Sequence, residues 1–153
     1  MKNDLKPKTE YQVRAAIRRG ANVVPLVKSL PADTMTPVGA FLALRGKEPG
    51  FLLESVEGGE RYARYSFLGA QPFETLEVHN GSLEIRRGSK KRVIAGCPFT
   101  AIGKELTRYH ALPEAGLPPF TGGAVGHMSY ETIARIEPTT GLAPPTAEPE
   151  ARL

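Results

Sequence analysis

Apolar residues change rhythm along the chain, and each change marks a new element. Val13, Ala16 and Ile17 recur at helical spacing behind Thr9 and Gln12, which have capping-box separation, and Gly20 supplies a stop. Residues 10–19 are therefore predicted as a short helix. Residues 23–27 are apolar and β-branched but contain Pro25, which cannot donate to a ladder and suits an edge strand. Thr36 stands at a cap position and Pro37 where a missing N–H costs nothing, so 37–45 is predicted as a second helix, stopped by Gly46, with Val38, Phe41, Leu42 and Leu44 on its apolar face. From Phe51 the pattern becomes strand-like: residues 51–56, 62–68, 73–79, 83–87 and 93–94 are short β-type runs. Gly58-Gly59 and Asn80-Gly81 join neighbouring runs, and Asn-Gly accepts the positive φ values that a type I′ hairpin turn requires. Pro98 opens a third helix, in which Phe99, Ile102, Leu106 and Tyr109 share a face before Pro113 ends it.

Extended, glycine-rich character returns in TGGAVGHMSYE, residues 121–131. Residues 137–153 hold Pro138, Pro144, Pro145 and Pro149 with few large apolar groups, and are predicted as a linker or disordered tail. The expected fold class is α+β: residues 1–136 form one domain, mainly antiparallel sheet, meander or sandwich-like, with a few covering helices.

At 153 residues with 41% apolar composition the chain can bury a core of its own. No apolar run approaches the roughly 20 residues of a membrane span, and the charged start MKNDLKPKTE lacks a secretory signal, so a cytoplasmic location without membrane association is expected. The net charge of +4 raises the question of a nucleic-acid partner, and its distribution answers against one. Arg86, Arg87, Lys90, Lys91 and Arg92 supply five of the 20 basic residues; the other 15 face 16 acidic ones. That cluster brackets Gly88-Ser89 at an apparent turn without interleaved aromatics, the pattern of a solvated hairpin tip.

Few motifs for chemistry are present. His79, His110 and His127 lie in no nucleophile motif, and His110, His127 and Glu131 do not show the spacing of a metal-ligand set. The lone Cys97 permits no internal disulfide and is expected to be structural. Gly122, Gly123 and Gly126 lack the lysine of a phosphate loop, and close backbone packing accounts better for them.

The sharper feature is FLLESVEGGERYARYSFLG, residues 51–69. If residues 51–56 and 62–68 form a hairpin, Glu54 and Ser55 come near Arg64 beside an apolar rim. A carboxylate and a hydroxyl can accept from an ammonium group, a guanidinium can hold a carboxylate bidentately, and Leu52 and Leu53 can receive an apolar side chain, which together suit an amino acid. The same residues also allow a cross-strand Glu54–Arg64 ion pair with Ser55 at a turn.

At these residues a resemblance enters. Leu52-Leu53-Glu54-Ser55, then Arg64-Tyr65-Ser66-Phe67-Leu68-Gly69, then PPFTGGAVGHMSYE at 118–131, together with VPLVKSLPADTMTPVGAFLAL at 24–44, resemble the N-terminal domain of anthranilate synthase component I, a member of the chorismate-utilising enzymes. The resemblance spans most of residues 10–137. It departs from the family pattern at His127, usually aromatic, and at Ser129, commonly glycine. It implies that Leu53, Glu54 and Ser55 line a feedback site for L-tryptophan and that Arg64 takes the basic position on the following strand. It also implies a parent that makes anthranilate and pyruvate from chorismate and ammonia, the ammonia coming from a glutamine amidotransferase partner, component II. Mg²⁺ and the catalytic residues are implied for a C-terminal domain absent from this chain, which is expected to hold no cofactor and to be inactive alone. Para-aminobenzoate synthase component I, with a role in folate biosynthesis, and a stand-alone amino-acid-binding module are the alternatives.

Overall fold

A computed structural model of the chain describes residues 7–54, 65–143 and 149–153. Its elements are α1 (Glu10–Arg18), α2 (Pro37–Arg45), β1 (Gly50–Glu54), β2 (Ser66–Ala70), β3 (Thr75–His79), β4 (Ser82–Arg87), β5 (Lys90–Ile94), α3 (Pro98–Leu106), β6 (His127–Met128), two 3-10 turns (Tyr130–Arg135 and Pro138–Thr140) and β7 (Ala151–Arg152). The fold is α+β, as expected, and both sheets are antiparallel throughout.

The helices begin where their caps dictate. Thr9 and Gln12 close a reciprocal capping box on α1. Thr36 Oγ1 accepts the Gly39 N–H at 3.0 Å, with Pro37 in the first helical position of α2. Residues Asn80 and Gly81 have φ of 47° and 72°, the signs a type I′ turn needs, and they join β3 to β4 with His79 opposite Ser82.

The expected single meander is divided. β3, β4 and β5 form one, but β1 and β2 pair only with each other, in a separate two-stranded sheet. A strand has two edges, and those of β3 are taken by β4 and β7, which leaves none for β2. Gln71, at φ 55°, turns the chain between β2 and β3.

Two expectations are corrected. Residues 23–27 are not an edge strand: only Val23 makes a bridge, parallel, to Ala111. Asn22 sets it up, its side chain bonding Arg108 O and the His110 N–H, while the Pro25 carbonyl accepts from Lys8 Nζ instead of a strand. Nor are residues 137–153 a disordered tail over their described part. β7 lies inside the five-stranded sheet, ordered β5-β4-β3-β7-β6. The Glu150 N–H donates to Val78 O and the Leu153 N–H to Leu76 O, both at 2.8 Å. A two-residue strand pairing with partners some 70 residues away has no periodicity to announce it, and prolines around it suggest a loop. Pro144 and Pro145 lie outside the described residues.

Among the described residues the clustered core lies in this sheet and α3, with Ala21 buried apart from it. Leu76 and Val78 of β3 and Leu83 and Ile85 of β4 share one face, with Ala151 of β7, and Ala101 and Ile102 of α3 close over them. The helix covers the sheet as expected, but of its expected face only Ile102 is buried: Leu106 and Tyr109 are exposed, and Pro98, Ala101 and Glu105 are buried instead. Val78 and Leu83 are fully buried, each stabilising by about 1.5–3 kcal/mol relative to exposure. By contrast α1 and α2 bury no residue completely, and on α2 only Phe41 of the expected apolar face is half-buried, next to Gly50; Val38, Leu42 and Leu44 are exposed.

Candidate functional site

The hairpin that carries the sequence candidates is placed by its register. Gly50 faces Ala70, Phe51 faces Gly69, Leu52 faces Leu68, Leu53 faces Phe67 and Glu54 faces Ser66. Side chains alternate along a strand, so Phe51, Leu53, Phe67 and Gly69 lie on one face and Leu52, Glu54, Ser66 and Leu68 on the other. Leu53 and Glu54, both expected to line one pocket, therefore point to opposite faces. Ser55 and Arg64 lie outside the described residues, as does Gly58-Gly59.

On the polar face, Ser66 Oγ donates to Glu54 Oε1 at 3.4 Å. Glu54 is exposed at the last position of β1, so its carboxylate is reached from solvent. On the opposite face three aromatic rings meet edge to face: Phe67 and Phe120 at 5.7 Å between centroids and 87°, Phe51 and Phe120 at 6.4 Å and 74°. Tyr65 stacks on Phe67 at 5.8 Å. Such pairs add about 0.5–1.5 kcal/mol each beyond the area they bury. A cavity of about 330 Å³ opens beside them, walled by Phe51, Phe67, Gly69, Phe120, Gly122 and Gly123. Gly69 is required there, because a Cβ would strike the Phe51 ring. Leu53, 49% exposed, continues the same face toward residue 55.

Sequence reasoning did not assign Ser66 or Phe120 a place in the site. Ser66 was hidden because its position opposite Glu54 depends on the register across a connection with no turn signature of fixed length. Phe120 comes to the hairpin from over 50 residues away, and only tertiary contact joins them.

Several of the other candidate groups have local partners. His79 Nε2 is 3.1 Å from Glu77 Oε2, and no group of three potential metal ligands occurs among the described residues. The basic cluster is largely paired: Glu84 takes Arg86 at 2.5 Å and Lys91 at 2.6 Å, Arg92 reaches Glu105 at 2.7 Å, and Arg87 lies over the Phe73 ring. Lys91 and Arg86 hold the Glu84 carboxyl below its ordinary range. Close backbone packing holds at Gly126, where a Cβ would overlap Arg152 O and Leu153 Cα, but not at Gly122, which has open space around it and a φ of 146°, nor at Gly123, where a Cβ would meet only the Phe120 side chain. Cys97 is exposed beside the first turn of α3.

Comparison with known proteins agrees with the family resemblance of the sequence. The chain is 40% identical over 128 residues to a probable anthranilate synthase component 1 of Schizosaccharomyces pombe, covering 83% of this chain and 23% of that protein. Several relatives of this chain are anthranilate synthase component 1 proteins. The component 1 of Neisseria meningitidis serogroup B is 39% identical over 131 residues, 85% of this chain and 26% of that protein, and that of Acetivibrio thermocellus is 37% identical over 117 residues, 76% and 24%. The chain thus spans about a quarter of the length of the component 1 relatives it matches, and fits an N-terminal segment of them. No family model matches it. Among the described residues no helix is long and apolar enough to cross a membrane.

Proposed function

We propose that this chain is the L-tryptophan-binding, feedback-regulatory part of an anthranilate synthase component 1, with the β1–β2 hairpin as its ligand site. The observation that carries the reading is Glu54, solvent-facing at the end of β1 and directly opposite Ser66, in a chain whose relatives bear the component 1 name over most of its length. A carboxylate beside a hydroxyl accepts hydrogen bonds from an α-ammonium group, and charge-assisted bonds of this kind are roughly twice as strong as neutral ones. Ser55 adds a second hydroxyl, Arg64 receives the ligand carboxylate, and Leu52 with Leu68, on the same face of the hairpin as Glu54 and Ser66, meets the indole. The relatives' shared name supports this branch over para-aminobenzoate synthesis.

In the proposed parent, chorismate and glutamine-derived ammonia give anthranilate and pyruvate, with Mg²⁺ and the acid–base groups in the remaining three quarters and an amidotransferase subunit as partner. Feedback then requires that tryptophan bind the inactive arrangement more tightly, with a coupling of about 1–3 kcal/mol. The chain alone is expected to bind tryptophan and to form no fluorescent anthranilate from chorismate, ammonium and Mg²⁺.

Calorimetric titration of L-tryptophan into the chain tests the site. Glu54→Gln is expected to weaken binding at least tenfold and Ser66→Ala by a smaller factor. Unchanged affinity in Glu54→Gln, or no heat with the unsubstituted chain, overturns the assignment.

A further inference from the structure

A second site lies away from the hairpin, in the groove between edge strand β5 and helix α3. The groove encloses about 380 Å³ and is lined by Arg92 and Ile94 from the strand side and by Thr100, Lys104, Glu105 and Arg108 from the helix side. Residues 100, 104 and 108 are spaced by one helical turn, so a single stripe of α3 and its continuation delivers a hydroxyl and two cations to the same wall.

Glu105 organises the charge. It is buried, 3% exposed, on the sheet-facing side of α3. Its two oxygens each hold one guanidinium: Oε2 takes Arg92 Nη2 at 2.7 Å and Oε1 takes Arg108 Nη1 at 2.6 Å. Each arginine spends one nitrogen on this carboxylate and keeps further N–H donors, and the two side chains remain 49% and 61% exposed. Lys104 has no carboxylate partner among the described residues. Three cations against one carboxylate leave two positive charges in excess at the groove, which is more than an ion pair formed for stability alone requires. The guanidiniums are held in place before any ligand arrives, which lowers the ordering cost of binding. Ile94, Ala95 and Ala101 supply an apolar strip beside the charges. A bare inorganic ion gains nothing from that strip, whereas an anionic group on a small apolar body uses both.

We infer that this groove binds a small organic anion, a carboxylate or phosphate ester carrying an apolar portion, through Arg92, Lys104 and Arg108. The inference does not rest on the tryptophan reading, since the groove belongs to the five-stranded sheet and α3.

Cys97 lines the groove and is the only cysteine of the chain, so its alkylation by uncharged N-ethylmaleimide reports occupancy without any enzyme assay. The probes are benzoate, phenyl phosphate and inorganic phosphate, each at ionic strength held constant with sodium chloride. Benzoate and phenyl phosphate are expected to slow alkylation at least fivefold and saturably, with inorganic phosphate several-fold weaker. Lys104→Gln, a change at an exposed position that leaves Glu105 paired, is expected to raise the half-protecting concentration several-fold. Lys104→Gln with Arg108→Gln is expected to raise it at least tenfold, while Lys47→Gln outside the groove changes nothing. Protection no greater than with chloride, or protection retained in both groove variants, overturns the site. Equal protection by inorganic phosphate and phenyl phosphate overturns the assignment to an organic anion.

Discussion

Glu150 has no exposed surface, yet it is charged and satisfied: it accepts from Nε and Nη2 of Arg135 and from the Gly81 N–H at 3.0 Å. Burial alone raises its carboxyl, but the bonds from Arg135 and Gly81 outweigh that and hold it below its ordinary value near 4.5. Glu77, similarly, is raised by burial and lowered further by His79 and Arg152. A carboxyl depressed in the folded state stabilises it above the unfolded value and loses that contribution as pH falls through the folded one. Stability measured by urea unfolding is therefore expected to be flat near neutrality and to fall below about pH 4.5, with a shallower acid limb in Glu150→Gln. Glu150→Ala, which leaves Arg135 without its partner in a half-buried site, is expected to cost roughly 2–4 kcal/mol at pH 7. Replacing both, Arg135→Met with Glu150→Leu, is expected to recover a large part of that loss; a double variant as weak as the single one contradicts the ion-pair account. None of this was legible in the sequence, where Glu150 sits among prolines and alanines. Leu53 and Glu54 show the converse: their identity made them candidates, but the period of two that separates their side chains appears only once β1 is known to be a strand through residue 54.

At the scale of elements, short local signals set the helix starts and tight turns. Thr9, Thr36, Pro37, Pro98 and Asn80-Gly81 act on their own neighbours, and each works as expected. β7 has no such signal and exists because β3 and β6 offer it two edges. Its removal exposes the core directly, since Ala151 packs against fully buried Val78. Deleting residues 149–153 is expected to abolish cooperative thermal unfolding, whereas loss of a true tail leaves the melting temperature unchanged. Gly126→Ala tests the same contact from the residue before β6: the added methyl meets Arg152 and Leu153 backbone, which cannot rotate away, and a cost of at least about 2 kcal/mol is expected, read as a lowered urea midpoint.

Across the whole molecule, burial is unequal. The continuous core joins β3, β4, β7 and α3, while α1, α2 and β1–β2 contain no completely buried residue. Amide hydrogen exchange is expected to be slowest in β3 and β4 and orders of magnitude faster in α2, β1 and β2. Under the proposed function, saturating L-tryptophan slows exchange in β1–β2 and leaves β3–β4 unaffected; slowing of both equally indicates global stabilisation instead of binding at the hairpin. A ligand site on the less stable unit suits a sensor, because binding energy can order a segment that is not already locked. The sequence by itself determined what depends on neighbours in the chain: the α+β class, three helices, two of them capped by threonine, the β3–β4 hairpin and the strand that carries Glu54. Only the tertiary structure decided the division into two sheets, the insertion of β7, the approach of Phe120 to Phe67 and the face on which each hairpin side chain lies. Those outcomes depend on which strand edges are left free and on contacts between residues tens of positions apart, and neither leaves a period or a motif in the chain.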